Sequence, residues 1–141
     1  PASMATARYL WGSSQLIGLT IAGAIANQMT ATEALQSEFS PLPVNSVPTA
    51  TPGDWQSLMD ALPDFTQPAP APKPLEIDVA ARQVRVFLPG FDKKQVKLTQ
   101  SGGEITIEAG DHRRNIILPP GLSSKTVTGA KFQQGYLIVS L

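Results

Sequence analysis

Between Arg82 and Pro120 the chain reads RQVRVFLPGFDKKQVKLTQSGGEITIEAGDHRRNIILPP, with apolar residues at every second position over several short runs. Val84, Val86 and Leu88 fall on one side of an extended segment, and Arg85 and Phe87 on the other. Val96 and Leu98 alternate with Lys97 and Thr99; Ile105 and Ile107 alternate with Glu104, Thr106 and Glu108. Pro89-Gly90-Phe91-Asp92 and Ser101-Gly102-Gly103 cut the runs apart. A period of two, broken by Gly and Pro, predicts half-buried antiparallel strands. A helix would put Lys, Glu and Ile together on one face. The expected fold is a mostly β chain with a small antiparallel β-sandwich over 75–141, opened by Leu75, Ile77 and Val79. Its later strands are Arg113 to Leu118, Thr126 to Phe132 and Tyr136 to Leu141. The last two form a hairpin across Gln133-Gln134-Gly135, with Leu137, Val139 and Leu141 facing the core. A domain of that size buries only ~60% of its unfolded surface, so it is marginal alone.

Upstream the pattern changes. Pro1-Ala2-Ser3-Met4 is set aside as a lead-in around a start methionine. Ala5 to Ile17 favours a helix that Gly18 can end, because glycine accepts the left-handed conformation there. Leu19 to Asn27 reads as an apolar strand suited to the middle of a helix-covered parallel sheet. No charge occurs between Tyr9 and Thr32, but Gln15, Asn27 and Gln28 interrupt the run. Its apolar core from Leu16 to Ala26 falls short of the ~20 residues a bilayer needs. A buried helix and strand are expected rather than a membrane span.

Thr32 to Phe39 forms a short helix in this reading, and Leu42 to Pro48 an edge strand, where proline is tolerated. Asp54 is an N-cap, after which Trp55, Leu58, Met59 and Leu62 share a helical face until Pro63. That stripe is a docking surface. Pro68-Ala69-Pro70-Ala71-Pro72-Lys73-Pro74 is a stiff, extended spacer. The expected parts are 5–48, a helix-and-strand unit; 49–74, a proline-rich linker with a short helix; and 75–141, the sandwich.

Eleven basic and eleven acidic side chains cancel, so no bulk charge points to nucleic acid or an anionic membrane. Without cysteine there is neither a disulfide framework nor a thiolate metal site. His112 is the sole histidine, which excludes multi-histidine ligation, and it is expected in an exposed loop. Glu104 and Glu108 share a strand face, beside Arg113 or Lys97 as cross-strand partners rather than as an acid/base pair. Phosphoryl transfer needs a glycine-rich cradle with its lysine. No G-x-x-x-x-G-K-[ST] occurs, and Ser101-Gly102-Gly103 reads as a hairpin turn. No catalytic residue and no metal ligand is assigned.

Two resemblances follow from these residues. Leu88-Pro89-Gly90-Phe91 followed by Lys93 to Leu98, Glu104-Ile105-Thr106-Ile107, Leu118-Pro119-Pro120, and Gly129-Ala130-Lys131-Phe132 before Gly135-Tyr136-Leu137 resemble the α-crystallin, or small heat-shock protein, domain. Gly110-Asp111-His112 leaves no room for that family's long strand-swapping loop. An Ile-x-Ile tail is missing up to Leu141. A large holdase assembly is therefore not expected. At the front, Arg8-Tyr9-Leu10-Trp11-Gly12, Leu19 to Gln28 and Phe39 to Pro48 resemble the last helix-and-strand unit of ATPases related to ArsA, the arsenite-pump ATPase. Relatives of those ATPases target tail-anchored proteins. Cyanobacterial and plastid members carry a crystallin-like C-terminal domain.

The resemblance implies a non-catalytic C-terminal part of such an ATPase, with a protein-interaction or chaperone-like module. The alternative is a nucleotide-dependent activity, in anion transport or membrane-protein targeting, that needs an upstream domain. Asn27 matches the asparagine that reads adenine in the intact parent, and ATP and Mg are implied for the full-length family alone. The implied partners are proteins: the upstream ATPase domain, a client polypeptide, or another copy in a homo-oligomer through the exposed N-terminal segment. Nucleic acid and membrane are not among them. The implied setting is cytoplasmic, or plastid stroma for a plant protein.

Overall fold

The computed structural model describes residues 2–67 and 70–141. Pro1 of the lead-in, and Pro68 and Ala69 of the spacer, lie outside the described residues. The chain forms two compact units: the stretch up to Thr20 together with Lys73 to Leu141, and Ile21 to Pro72.

The first unit holds helix α1 (Ala2–Leu16) and two antiparallel sheets. Strands β3 (Leu75–Asp78), β4 (Gln83–Phe87), β9 (Tyr136–Ser140) and β8 (Gly129–Gln133) make one sheet in the order β3-β4-β9-β8. Strands β5 (Val96–Ser101), β6 (Glu104–Ala109) and β7 (His112–Ile117) make the other in the order β5-β6-β7. Neither sheet closes on itself. The turns sit where glycine placed them in the sequence. Gly102 (φ 55°) serves the β5–β6 hairpin and Gly110 (φ 57°) the β6–β7 hairpin. Gln134 (φ 51°) with Gly135 (φ 77°) makes the β8–β9 turn, a left-handed pair whose twist suits a two-residue hairpin.

Alternation does what period two requires. Val84, Val86, Leu88, Ile105 and Ile107 are wholly buried, and with Leu137, Val139 and Leu141 they join one core lined by both sheets. Each such side chain contributes about 1.5–3 kcal/mol by leaving water. The outer row of β4 departs from simple alternation. Phe87 is also buried, its ring 5.7 Å from Trp11 of α1 and 4.7 Å from Tyr136. Arg85, in the same outer row, pairs with Glu76 of β3 at 3.5 Å and lies 4.8 Å over the Tyr136 ring.

α1 begins at Ala2, so residues set aside as a lead-in are helical. The helix stops as the glycine predicted. Gly18 (φ 97°) donates its N–H to Gln15 O at 3.0 Å, and Leu19 donates to Ser14 O at 2.9 Å. These are the two bonds that satisfy the last carbonyls in a Schellman termination. Leu16 is fully buried in the core of the antiparallel sheets. α1 therefore belongs to the compact unit of residues 73–141, and the unit boundary passes through the part delimited as 5–48. The physical cause is the apolar face of α1, which finds its cover on β4 and β7.

In the second unit β1 (Ala24–Asn27) pairs in parallel with β2 (Val44–Val47), Ala24 opposite Val44 and Asn27 opposite Val47. Helix α2 (Glu33–Glu38) lies between them in sequence, capped by Thr32, whose hydroxyl accepts from Leu35 N at 3.2 Å. Helix α3 (Trp55–Ala61) packs beside β2 and is capped by Asp54. The strand expected over Leu19–Asn27 is shorter, because only its last four residues find a partner strand. Nor is it covered on both faces: Ile25 is 49% exposed. The chain is thus mixed α/β rather than mostly β.

Ile107→Ala should cost about 2–5 kcal/mol, the range for deleting a buried aliphatic side chain. Urea denaturation should show a lowered midpoint with unchanged slope. Thr99→Ala, on the exposed face of β5, should leave the unfolding free energy within about 0.5 kcal/mol of its original value.

Candidate interaction groove

β5 and β8 are edge strands of different sheets, so each keeps one row of backbone groups outside its ladder. Between them runs a groove of about 110 Å³ lined by Val96, Leu98, Ala130, Phe132 and Leu137, with Lys93 and Lys131 at its rim. Each residue is there for a local reason. Asp92 opens a single 3-10 turn (Lys93–Gln95) through reciprocal bonds, its own N–H donating to Gln95 Oε1 at 2.9 Å. That turn delivers Lys93 to the rim and starts β5 in the register that points Val96 and Leu98 inward. On β8, Phe132 is half-buried against the core. Since one water occupies about 30 Å³, the groove has room for several waters or an aliphatic side chain in their place.

One end of the groove is tied. Gln100 occupies the inward row of β5 after Val96 and Leu98, where a polar group needs partners. Its Nε2 donates to Lys125 O at 2.7 Å and to Gly102 O at 3.1 Å, while its Oε1 accepts from Val127 N at 2.8 Å. The side-chain amide thus acts as a short stretch of strand, joining β5 to the segment that leads into β8.

The residues singled out from sequence lie elsewhere. Trp55 and Met59 are 62% and 63% exposed, whereas Leu58 and Leu62 are half-buried, so the stripe splits between solvent and the body of its unit. Asp54 caps their helix through Ser57, whose N–H donates at 3.3 Å and hydroxyl at 2.7 Å. Both bonds hold the Asp54 carboxyl below its ordinary value of 3.8. Asn27 is exposed at the carboxyl end of β1, followed by Gln28 in the left-handed conformation.

His112 is not an exposed loop residue. It opens β7 half-buried, its Nδ1 shielded from solvent and its ring 6.2 Å from that of Tyr9, which holds the preceding turn by donating to Asp111. Glu108 stands opposite Lys97 and Arg113 in register, as cross-strand pairing predicted, and Glu104 stands opposite Ser101 and Ile117. The groove itself went unread, because its apolar residues look like ordinary strand positions. Gln100 in the inward row was the one available signal.

The hairpin turns form no phosphate cradle: Gly102 and Gly110 each join two antiparallel strands, so neither leads into a helix N-terminus. Among the described residues no cluster of three His, Asp or Glu could hold a metal ion, and no helix is long and apolar enough to cross a membrane.

Two open antiparallel sheets thus share one core, with a groove between edge strands β5 and β8. Residues 80–141 match the family model of the HSP20-like domain found in ArsA, which is consistent with an ArsA-related HSP20-type region there. No curated protein matches the chain.

Gln100→Leu should cost about 0.5–1.5 kcal/mol, the net value of a lost hydrogen bond, since it removes the partner of half-buried Val127 N–H and of exposed Lys125 C=O. Thermal denaturation checks it. For α3, the folded Asp54 carboxyl titrates below its unfolded counterpart. Its capping is complete above the ordinary value of 3.8 and is lost as pH falls through the folded value. Amide shifts of Ser57 should follow that acid titration and be flat in Asp54→Asn.

Proposed function

We propose that this chain is the non-catalytic C-terminal part of an ArsA-related ATPase, and that its HSP20-like region is a crystallin-like sandwich acting as a chaperone-like, protein-binding module. The observation that carries the reading is the apolar groove between β5 and β8. Its occupant is an extended stretch of client polypeptide. Such a segment adds to an open strand edge through main-chain bonds and places alternate side chains in the apolar floor. Lys93 and Lys131 at the rim favour clients with acidic residues flanking the apolar ones.

Nucleotide chemistry belongs, in this reading, to residues outside the chain, with Asn27 meeting adenine only in an intact parent. The parallel β1–β2 pair supports that part. A two-stranded parallel ladder with Ile25 about half exposed is the kind of element that a larger parallel sheet covers. In isolation another copy covers it, so the chain forms homo-oligomers. Trp55, Leu58, Met59 and Leu62 serve as a further protein contact. The working place is a soluble compartment, cytoplasm or stroma.

Light scattering from a thermally aggregating client tests the module. A stoichiometric excess of the chain should suppress most of the scattering. Leu98→Asp, which puts a charge on the groove floor, should reduce suppression several-fold while circular dichroism stays unchanged. Failure of the unsubstituted chain to protect any of several clients would falsify the chaperone reading.

A further inference from the structure

Gly12 has no backbone reason to be glycine. It sits inside α1 with helical neighbours on both sides, where glycine costs about 1 kcal/mol relative to alanine. The explanation is contact. A β-carbon on Gly12 would run into the Pro89 carbonyl oxygen and come within 2.7 Å of the Phe91 ring. The approach is met from the other side. A β-carbon on Gly90 would lie 2.7 Å from the Arg8 carbonyl oxygen, and one on Gly110 3.1 Å from the Tyr9 ring. Around this point Tyr9 meets Phe91 edge-on at 5.9 Å and its hydroxyl donates to Asp111 at 3.3 Å. One turn further on, Leu16 is fully buried in the core, and Arg114 Nη1 donates to its carbonyl oxygen at 3.2 Å. Arginine there satisfies one of the helix's last carbonyls and complements the negative end of its dipole.

We propose that the HSP20-like region carries a second docking surface, separate from the β5–β8 groove, that receives a helix. It is built from the Leu88–Phe91 turn, the Gly110–Asp111 turn and Arg114, and its occupant is α1. It recognises Tyr, Gly and Leu at i, i+3 and i+7, spacing that puts them on one helical face, and it reads the helix end through Arg114. This makes α1 a strut: the region is held by the helix as well as by the proline-rich segment. On the reading given under Proposed function, on which this consequence rests, α1 is also the last helix of the ATPase unit. Any displacement of that helix then carries the client groove with it, which a flexible tether would not do.

The whole chain tests the strut. Backbone NMR relaxation should give the α1 amides the same rotational correlation time as those of β4, β6 and β9; a distinctly shorter one for α1 overturns the proposal. Trp11 is 6% exposed and Trp55 62%, so Trp55→Phe leaves a single reporter in the interface. Its emission should be blue-shifted and poorly quenched by acrylamide. Gly12→Leu in that background should raise quenching several-fold while hydrogen exchange in β4, β6 and β9 stays slow. Trp11 as accessible before the substitution as after it overturns the strut. Client protection measured on the same proteins reports on the groove alone. A docked α1 with no protection would leave the strut standing and remove the chaperone reading.

Discussion

The back half depends on one burial event: the inward rows of two sheets and Leu16 of a helix far away in sequence leave water together. Each sheet hides its apolar row against the other and Leu16, and a domain of this size has little apolar surface to spare. The pairing is cooperative for a geometric reason. Slipping any strand by one residue would turn Val84, Ile107 or Val139 outward and bring Arg85, Thr106 or Ile138 in. Register, fold and core are therefore one constraint seen at three scales.

Burying inner faces leaves the edges unsolved. Two open sheets have four edge strands: β3, β8, β5 and β7. The molecule treats them differently. β7 has α1 lying against it, with Arg114 reaching to the helix end. β3 places charged Glu76 and Asp78 in its exposed row, the kind of residue that discourages edge-to-edge pairing. β5 and β8 are held at one end by the Gln100 amide and left open along the rest. These two edges carry Lys97 and Lys131, and unlike β3 and β7 they flank the apolar floor of the groove. That contrast gives the groove physical meaning beyond its volume.

How much of this was legible follows from the range of each interaction. Strand alternation, the glycine turns, the Gly18 stop and the Asp54 cap are local, so residues within five positions of one another contain the information. Each was read correctly. The groove needs β5 (Val96–Ser101) and β8 (Gly129–Gln133) brought together from separate parts of the sequence, and Gln100 only acquires its role when Lys125 and Val127 stand opposite it. The destination of α1 was hidden for a similar reason. An apolar helix followed by an apolar strand matches an α/β unit locally, and the competing cover on β4 and β7 lies some seventy or more residues away in the sequence. The glycine inside the helix was the trace of that long-range contact. Taken as mere composition, it was uninformative; taken as a missing β-carbon, it named the neighbour.

The same logic bears on the strand that turned out short. Leu19 to Ala26 carries enough apolar character for a fully covered strand, yet only Ala24–Asn27 forms a ladder and Leu19 remains 55% exposed. A strand is defined by its partners as much as by its residues. β2 supplies four positions of pairing and no more, and β1's other edge is outside any ladder among the described residues. Apolar content beyond what the observed partner uses is what an element retains when its sequence suits a wider sheet. The proposed ATPase origin accounts for this excess without appeal to strain or to an unusual local conformation.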